Sequence, residues 1–332
     1  MAVTPVGTDV VTSISRRYIV PQIADNVYLS NLFFHRLNSA NRRIVQGGYQ
    51  VEQPLMYAKM AAGGPYSGFQ TLNIAPSDTI LNGAWQWRQY YVPITVDGLT
   101  LIKTDAPDAI ANFLNVYFAQ AEMELSDQLG NGVWSDGVTN QLHIDGLIGA
   151  VDDGTILGTY GGLSRTTYPW WKSKIDNATA ASSLTAYQAL MGNCTQGGRH
   201  PTIIVGTQSA YNFFYTLNTS VQRFPSQPGG QDEQLAAAGF TNLLFDGVPF
   251  TVDSHISTAP GFVGPAGGTP TGNVYFINED FMFLYVSPKA NFTLEDFQTA
   301  INQDAMVAKL LWAGNIIFSN VSLSGKFTKI AS

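Results

Sequence analysis

The stretch GLIGAVDDGTILGTYGGLSRTTYPWWKS, residues 146–173, decides how the rest of the chain is read. Its last third sets Tyr168, Trp170 and Trp171 behind the pair Gly161-Gly162 and a single Arg165. Residues 161–171 hold no histidine, cysteine or carboxylate. A loop with so much ring surface and so little chemistry is suited to contact. Large aromatics supply apolar area at modest conformational cost, and an arginine stacks on rings or forks onto a carboxylate. Adjacent residues of an extended segment face opposite ways, so one of Trp170 and Trp171 is expected inside and the other at an interface.

The totals point the same way. The chain has 332 residues, enough for one large domain or two to three subdomains. Charged residues are only 12%, against roughly 25% in ordinary soluble domains, while aromatics also reach 12%. Such a surface is expected to be covered by a partner chain. No apolar run approaches the roughly 20 residues that span a bilayer, and MAVTPVGTDVVTS lacks the pattern of a signal peptide, so synthesis in a cytosol is expected. The lone Cys194 excludes an internal disulfide and a multi-cysteine metal site.

The net charge of −7 is unevenly spread. Residues 1–45 carry Arg16, Arg17, Arg36, Arg42 and Arg43 against Asp9 and Asp25, and residues 305–332 carry three lysines and no acid. Residues 104–164 carry nine acids and no lysine or arginine. Basic ends and an acidic middle on one repeated subunit favour self-association in a fixed register.

Outward from 146–173, the strongest element is DAPDAIANFLNVYFAQAEMELSDQLG. Apolar residues recur there every three to four positions, Asp105 can cap it, and Gly130 and Gly132 are expected to stop it. A helix over 106–129 would be about 36 Å long. Glu122, Glu124 and Asp127 crowd its negative end, where arginines from another element or subunit are expected to reach them. Upstream, residues 1–47 read as an extended arm with short helical pieces. Residues 48–103 read as a long two-stranded excursion, with strands at 49–59 and 84–96 and a flexible tip. Downstream, 181–272 alternates helix and strand as a compact α/β unit, with a hairpin turning at Asp246-Gly247. Residues 273–332 return to strands that are expected to form a sheet under the long helix.

Catalytic chemistry is not in evidence. Gly325-Lys326 lacks the rest of a phosphate loop, GTQSA lacks the spacing of a nucleophile elbow, and the four histidines show no metal-ligand spacing. His143 with Asp145 in HIDG, and Asp152-Asp153-Gly154, read as polar turns. A folded cluster of His143, Asp145 and Asp152 would instead favour an enzyme. Cys194 reads as a small apolar residue.

Taken in order, these parts resemble the major capsid (head) protein of tailed bacteriophages, the Hong Kong 97-type family. NVYLSNLFFHRLNSANRRIVQGGYQVEQPLMYAK (26–59), AWQWRQYYVPITVDG, LGNGVW and 146–173 carry the resemblance. It implies an α+β capsid fold with an N-terminal arm (1–47), an extended β-hairpin loop (48–103) and a peripheral domain (104–180) whose spine helix is 105–130. An inserted α/β axial domain (181–272) and closing peripheral strands (273–332) follow.

It also implies a non-enzymatic structural protein, without cofactor or metal, that self-assembles into pentamers and hexamers of an icosahedral shell around double-stranded DNA, contacted non-specifically. Portal, scaffolding and decoration proteins are the further partners, no membrane is involved, and the virion, assembled in host cytoplasm, is the location. An encapsulin-like cellular nanocompartment is the alternative. The expected inter-subunit contacts are Arg16, Arg17, Arg42, Arg43, Phe33 and Phe34 of the arm, and Lys59, Tyr66, Phe69, Trp85 and Trp87 of the hairpin. Glu122, Glu124 and Asp127 of the helix and Arg165, Trp170 and Trp171 of the loop complete the set.

Overall fold

The computed structural model describes residues 31–60, 62–98, 107–176, 183–219, 243–257, 272–299 and 304–330. Helix α1 (Leu32–Ala40) begins at Asn31, whose side chain accepts from the Phe34 amide. Strand β1 (Arg42–Ile44) follows, then β2 (Gln50–Met56), β3 (Ile80–Gln86) and β4 (Arg88–Asp97). The long helix α2 (Pro107–Val133) leads to the short α3 (Leu147–Ala150) and the two-residue strands β5 (Thr159–Tyr160) and β6 (Leu163–Ser164). After β7 (Lys174–Asp176) come α4 (Leu184–Cys194), β8 (Ile203–Gly206), α5 (Gln208–Thr219), β9 (Leu244–Phe245) and β10 (Val248–Val252). The chain closes with β11 (Gly272–Ile277), β12 (Met282–Leu294), β13 (Gln298–Thr299), β14 (Ala305–Phe318) and β15 (Gly325–Ile330).

Two sheets organise these elements. In the first, β14 lies between β12 and β4 and also pairs with β13, all antiparallel, while β1 adds parallel to β12. Helix α2 covers it: Leu125, Leu129 and Val133 are buried with Val92 and Ile94 of β4 and with Leu310, Trp312 and Ile316 of β14. The alternation YYVPITV buries every second residue of β4 under the helix and exposes the others. The second sheet runs β7-β15-β11-β8-β10-β9. Helices α4 and α5 bury Tyr187 and Phe214 against Phe245, Phe276 and Phe327 of this sheet, with ring centroids 4.9 Å apart for Tyr187 and Phe214. Ser183 caps α4, and Asp246 and Gly247 both take positive φ at the β9–β10 turn, the backbone a two-residue hairpin needs.

Four expectations change. The helix runs through Gly130 and Gly132 to Val133. These glycines are places of close approach, because a Cβ on Gly132 would collide with the Tyr90 hydroxyl and one on Gly130 with Asn31 and His255. The predicted strand 84–96 is two strands divided at Trp87: residues 80–86 pair with β2, whereas 88–97 belong to the first sheet. The projecting hairpin is therefore confined to β2, β3 and the segment between them. AMVAKLLW (305–312) and NIIFSNVSLSG (315–325), expected as two strands, are joined in one 14-residue strand that ends at Phe318. Finally, β11 and β15 join the second sheet beside β8, so the tail does not simply close the first one. The expected Asp105 cap and the Gly/Pro-rich loops at 226–233 and 258–271 lie outside the described residues.

Candidate interaction surface

Residues 146–173 form a buried lock. Arg165 is fully buried, and its guanidinium donates to the carbonyls of Gly149 (3.0 Å), Ala150 (2.5 Å), Leu157 (2.9 Å) and Trp171 (3.2 Å). It also meets Asp152 at 3.5 Å, whose other oxygen takes a proton donor from the buried Lys326 Nζ at 3.2 Å. The remaining capacity of Asp152 is filled by the amides of Gly154, Ile156 and Leu157. Burial alone would raise the Asp152 pKa, but Lys326 and these amides hold it below the usual carboxylate range. Burial depresses Lys326 and Arg165, with Asp152 opposing in both cases. Asp152 is thus internal, and this one acid ties the loop to the last strand.

Trp171 is completely buried and donates from Nε1 to the Tyr160 carbonyl at 3.0 Å. Trp170 is half-buried and stacks on Tyr57, the first residue after β2, with centroids 6.2 Å apart. Gly161, at φ +58°, lets the Trp85 ring of β3 lie directly against the backbone, and its carbonyl accepts from the Ala84 amide at 2.9 Å. The loop therefore grips the base of the β2–β3 hairpin.

Beyond that grip the hairpin is bare. Eight of the eighteen large hydrophobics exposed among the described residues lie between 49 and 80. Met60 is 76% exposed, Tyr66 67%, Ile74 89%, and Phe69 is as open as in an extended peptide. Lys59 is exposed beside them. Such a concentration on one projection is what a monomer avoids and an interface supplies.

The structure corrects five of the expected contact residues. Phe33, Phe34, Trp85, Arg165 and Trp171 belong to the interior of the single chain, so they are unavailable to a neighbour. Phe33 packs on Trp134 with centroids 5.3 Å apart, which makes the end of the arm part of the core. Trp87 is half-buried and donates to the Gly48 carbonyl at 3.0 Å. Arg42 and Arg43 are exposed, with Arg43 lying over the Phe283 ring at 3.6 Å. Glu122 is exposed, and Glu124 accepts from Gln128 at 2.7 Å. Asp127 meets a histidine of the same chain, not an arginine: His255 Nε2 lies 3.0 Å away. Arg16 and Arg17 lie outside the described residues.

Sequence reasoning missed the clasp at His255. The ring is fully buried in the 3-10 turn Ser254–Ser257, with Nδ1 3.0 Å from Asp253 and Nε2 3.0 Å from Asp127 on α2. Burial would lower its pKa, but hydrogen bonds to the two carboxylates outweigh that and raise it. The suggested catalytic trio does not share partners. His143 meets the Tyr90 hydroxyl at 2.9 Å, Asp145 meets Arg88 at 3.1 Å, and Asp152 is held by Arg165 and Lys326. Burial pushes the Cys194 thiol up to about 12, leaving it an inert apolar group. Among the described residues no three potential ligands cluster as a metal site, and no helix is long and apolar enough to cross a membrane.

No protein-family model matches the chain, and no curated protein matches it. Against solved structures the likeness runs end to end. A chain of the cyanophage A-1(L) capsid is 16% identical, covers 97% of this chain and 98% of its own, and superposes with a TM-score of 0.66. The capsid of a native GTA particle is 12% identical over 98% of this chain and 100% of its own, with a TM-score of 0.61. The SrpI encapsulin of Synechococcus elongatus PCC 7942 is 11% identical over 100% and 98%, with a TM-score of 0.56. The chain has the α+β fold shared by these shell proteins, and the resemblance read from the sequence holds at the level of the fold.

Proposed function

We propose that this chain is a structural, non-enzymatic capsid subunit that self-assembles into the hexamers and pentamers of an icosahedral shell enclosing double-stranded DNA. One observation carries the reading: a projecting hairpin whose tip exposes Met60, Tyr66, Phe69, Leu72 and Ile74 together. Covering each such side chain yields about 1.5–3 kcal/mol before the cost of ordering the loop. Each contact is weak alone, and closure of a shell multiplies them. Contact with packaged DNA would be sequence-independent and weak, in keeping with the net charge of −7. Portal, scaffolding and decoration proteins would be the further partners, and the virion, assembled in host cytoplasm, its location.

Electron microscopy of the purified protein tests this. Closed shells of uniform diameter are expected; a monodisperse monomer at milligram-per-millilitre concentration overturns the reading. Replacing residues 58–78 by a short Gly-Ser turn is expected to leave a folded, soluble chain that forms no shells. The full-length likeness to an encapsulin favours a second reading, a cellular compartment. The contents distinguish the two: nuclease-protected DNA for a capsid, an enclosed protein cargo for a compartment.

A further inference from the structure

The ring of His255 spans the seam between the two sheets. Its own turn, Ser254–Ser257, is fastened to the second sheet. Asp253, just before that turn, donates its amide to the Gly206 carbonyl of β8 at 3.2 Å and takes the His255 amide on Oδ1 at 2.9 Å. Nδ1 of the ring lies 3.0 Å from that same oxygen, and Nε2 lies 3.0 Å from Asp127 Oδ1 on α2. An ionised carboxylate only accepts, so both ring nitrogens must carry a proton for both bonds to exist. The clasp therefore requires the imidazolium.

The close approach is built into α2. The ring rests against Gly130, where a Cβ would come within 2.8 Å of Nε2 and 2.6 Å of Asn31 Nδ2. The charged groups facing the ring are Asp253 from its own turn and Asp127 from α2, while α1 brings only the neutral Asn31. Burial opposes the ring's charge, and the hydrogen bonds to Asp253 and Asp127 outweigh it.

When one proton leaves, the two bonds cannot both survive. A neutral imidazole has one N–H, and its bare nitrogen would meet a carboxylate oxygen lone pair to lone pair. The two acids differ in what they can do without the ring. The Asp253 side chain is 1% exposed, and its Oδ2 has no hydrogen-bond partner among the described residues. The Asp127 side chain is 24% exposed, reaches water, and takes the Asn131 amide at 3.4 Å. Stripping a donor from a buried carboxylate costs more than stripping one that water can replace. Nδ1 therefore keeps its proton and Nε2 gives one up.

We propose that His255 is a one-sided latch: loss of the Nε2 proton frees α2 from the second sheet at Asp127, while the turn 254–257 stays fastened through Asp253. The latch is shut below the ordinary histidine range and opens as pH rises above it. It belongs to the single chain and stands whether or not that chain builds a shell.

Nitrogen magnetic resonance of the full chain, carrying isotope-labelled histidine, tests this. His255→Gln assigns the His255 signals. Both ring nitrogens are expected to be protonated at about pH 5; at about pH 9 Nδ1 is expected to keep its proton and Nε2 to be bare. A protonated Nε2 beside a bare Nδ1 overturns the proposal, and so does a ring that stays doubly protonated throughout.

Spin labels read the joint itself. They are placed at Glu122→Cys on α2 and Leu244→Cys on β9, both exposed, while the native Cys194 is buried. The labelled chain is diluted into excess unlabelled chain so that only distances within one copy are read. The distance distribution is expected to broaden between about pH 5 and about pH 9, and to stay narrow when Asp127→Asn is added. An asparagine side chain accepts from Nε2–H and donates to a bare Nε2, so it holds the ring in either state. Equal widths at both pH values overturn the unlatching, and broadening in the Asp127→Asn chain overturns the part given to Asp127. The ring measurement is made on the parent and decides even where a variant fails to fold.

Discussion

At the scale of the residue, the fold turns on a few buried polar groups. Asp152 neutralises two buried cations at once, and removing its charge strands both. Asp152→Asn is expected to cost about 3–5 kcal/mol in denaturant unfolding of the unassembled chain. Because its pKa is depressed in the folded state, its contribution is present above the ordinary carboxylate range and is lost as pH falls through the lowered value. An acid titration of the unfolding free energy should show that loss in the parent and not in Asp152→Asn. The two adjacent tryptophans divide the labour read from 161–171. Trp171→Ala is expected to cost about 3–5 kcal/mol, and Trp170→Ala clearly less, because Trp170 is only half-buried. The sequence showed that one of the pair would be internal. It did not show that Arg165 would be consumed by four backbone carbonyls, since those acceptors come from residues 149 to 171 only once the loop has closed.

At the scale of the element, local signals were the legible ones. The three-to-four spacing from 109 to 129 gave α2, and Asp246-Gly247 gave the β9–β10 turn. What escaped were choices made by distant partners. Residues 84–96 alternate without a break, yet the chain changes sheets at Trp87 because β2 takes one half and β14 the other. The arm likewise ends inside the core: Phe33, Phe34 and Leu37 are buried, and β1 pairs with β12. Deleting residues 1–30 is therefore expected to preserve folding and abolish assembly, whereas deleting 1–45 yields insoluble chain; circular dichroism and sedimentation separate the two. The His255 clasp joins α2 to the end of β10 across the two sheets. Its raised pKa means that its stabilisation is complete below the ordinary histidine value and fades as pH rises through the folded one. The difference in melting temperature between the parent and His255→Gln should thus be largest near pH 6 and shrink toward pH 9.

At the scale of the whole molecule, the sequence disclosed the class of fold, and the end-to-end likeness to shell proteins agrees with that class. It could not disclose how the parts share strands, because sheet membership is decided by contacts between residues far apart in the chain. The α/β unit was expected as an insertion at 181–272. Its sheet instead draws β7 from before that range and β11 and β15 from its end and beyond. Truncation at Ser324 is accordingly expected to collapse the second sheet and to strand Asp152 without Lys326, giving insoluble protein in expression trials. The same interleaving has a consequence for anyone who would graft this subunit. Three non-contiguous threads, sewn in before, at the edge of and after the patch to be exchanged, must travel with it. A chimaera spliced at the two apparent seams would inherit half a fabric from each parent.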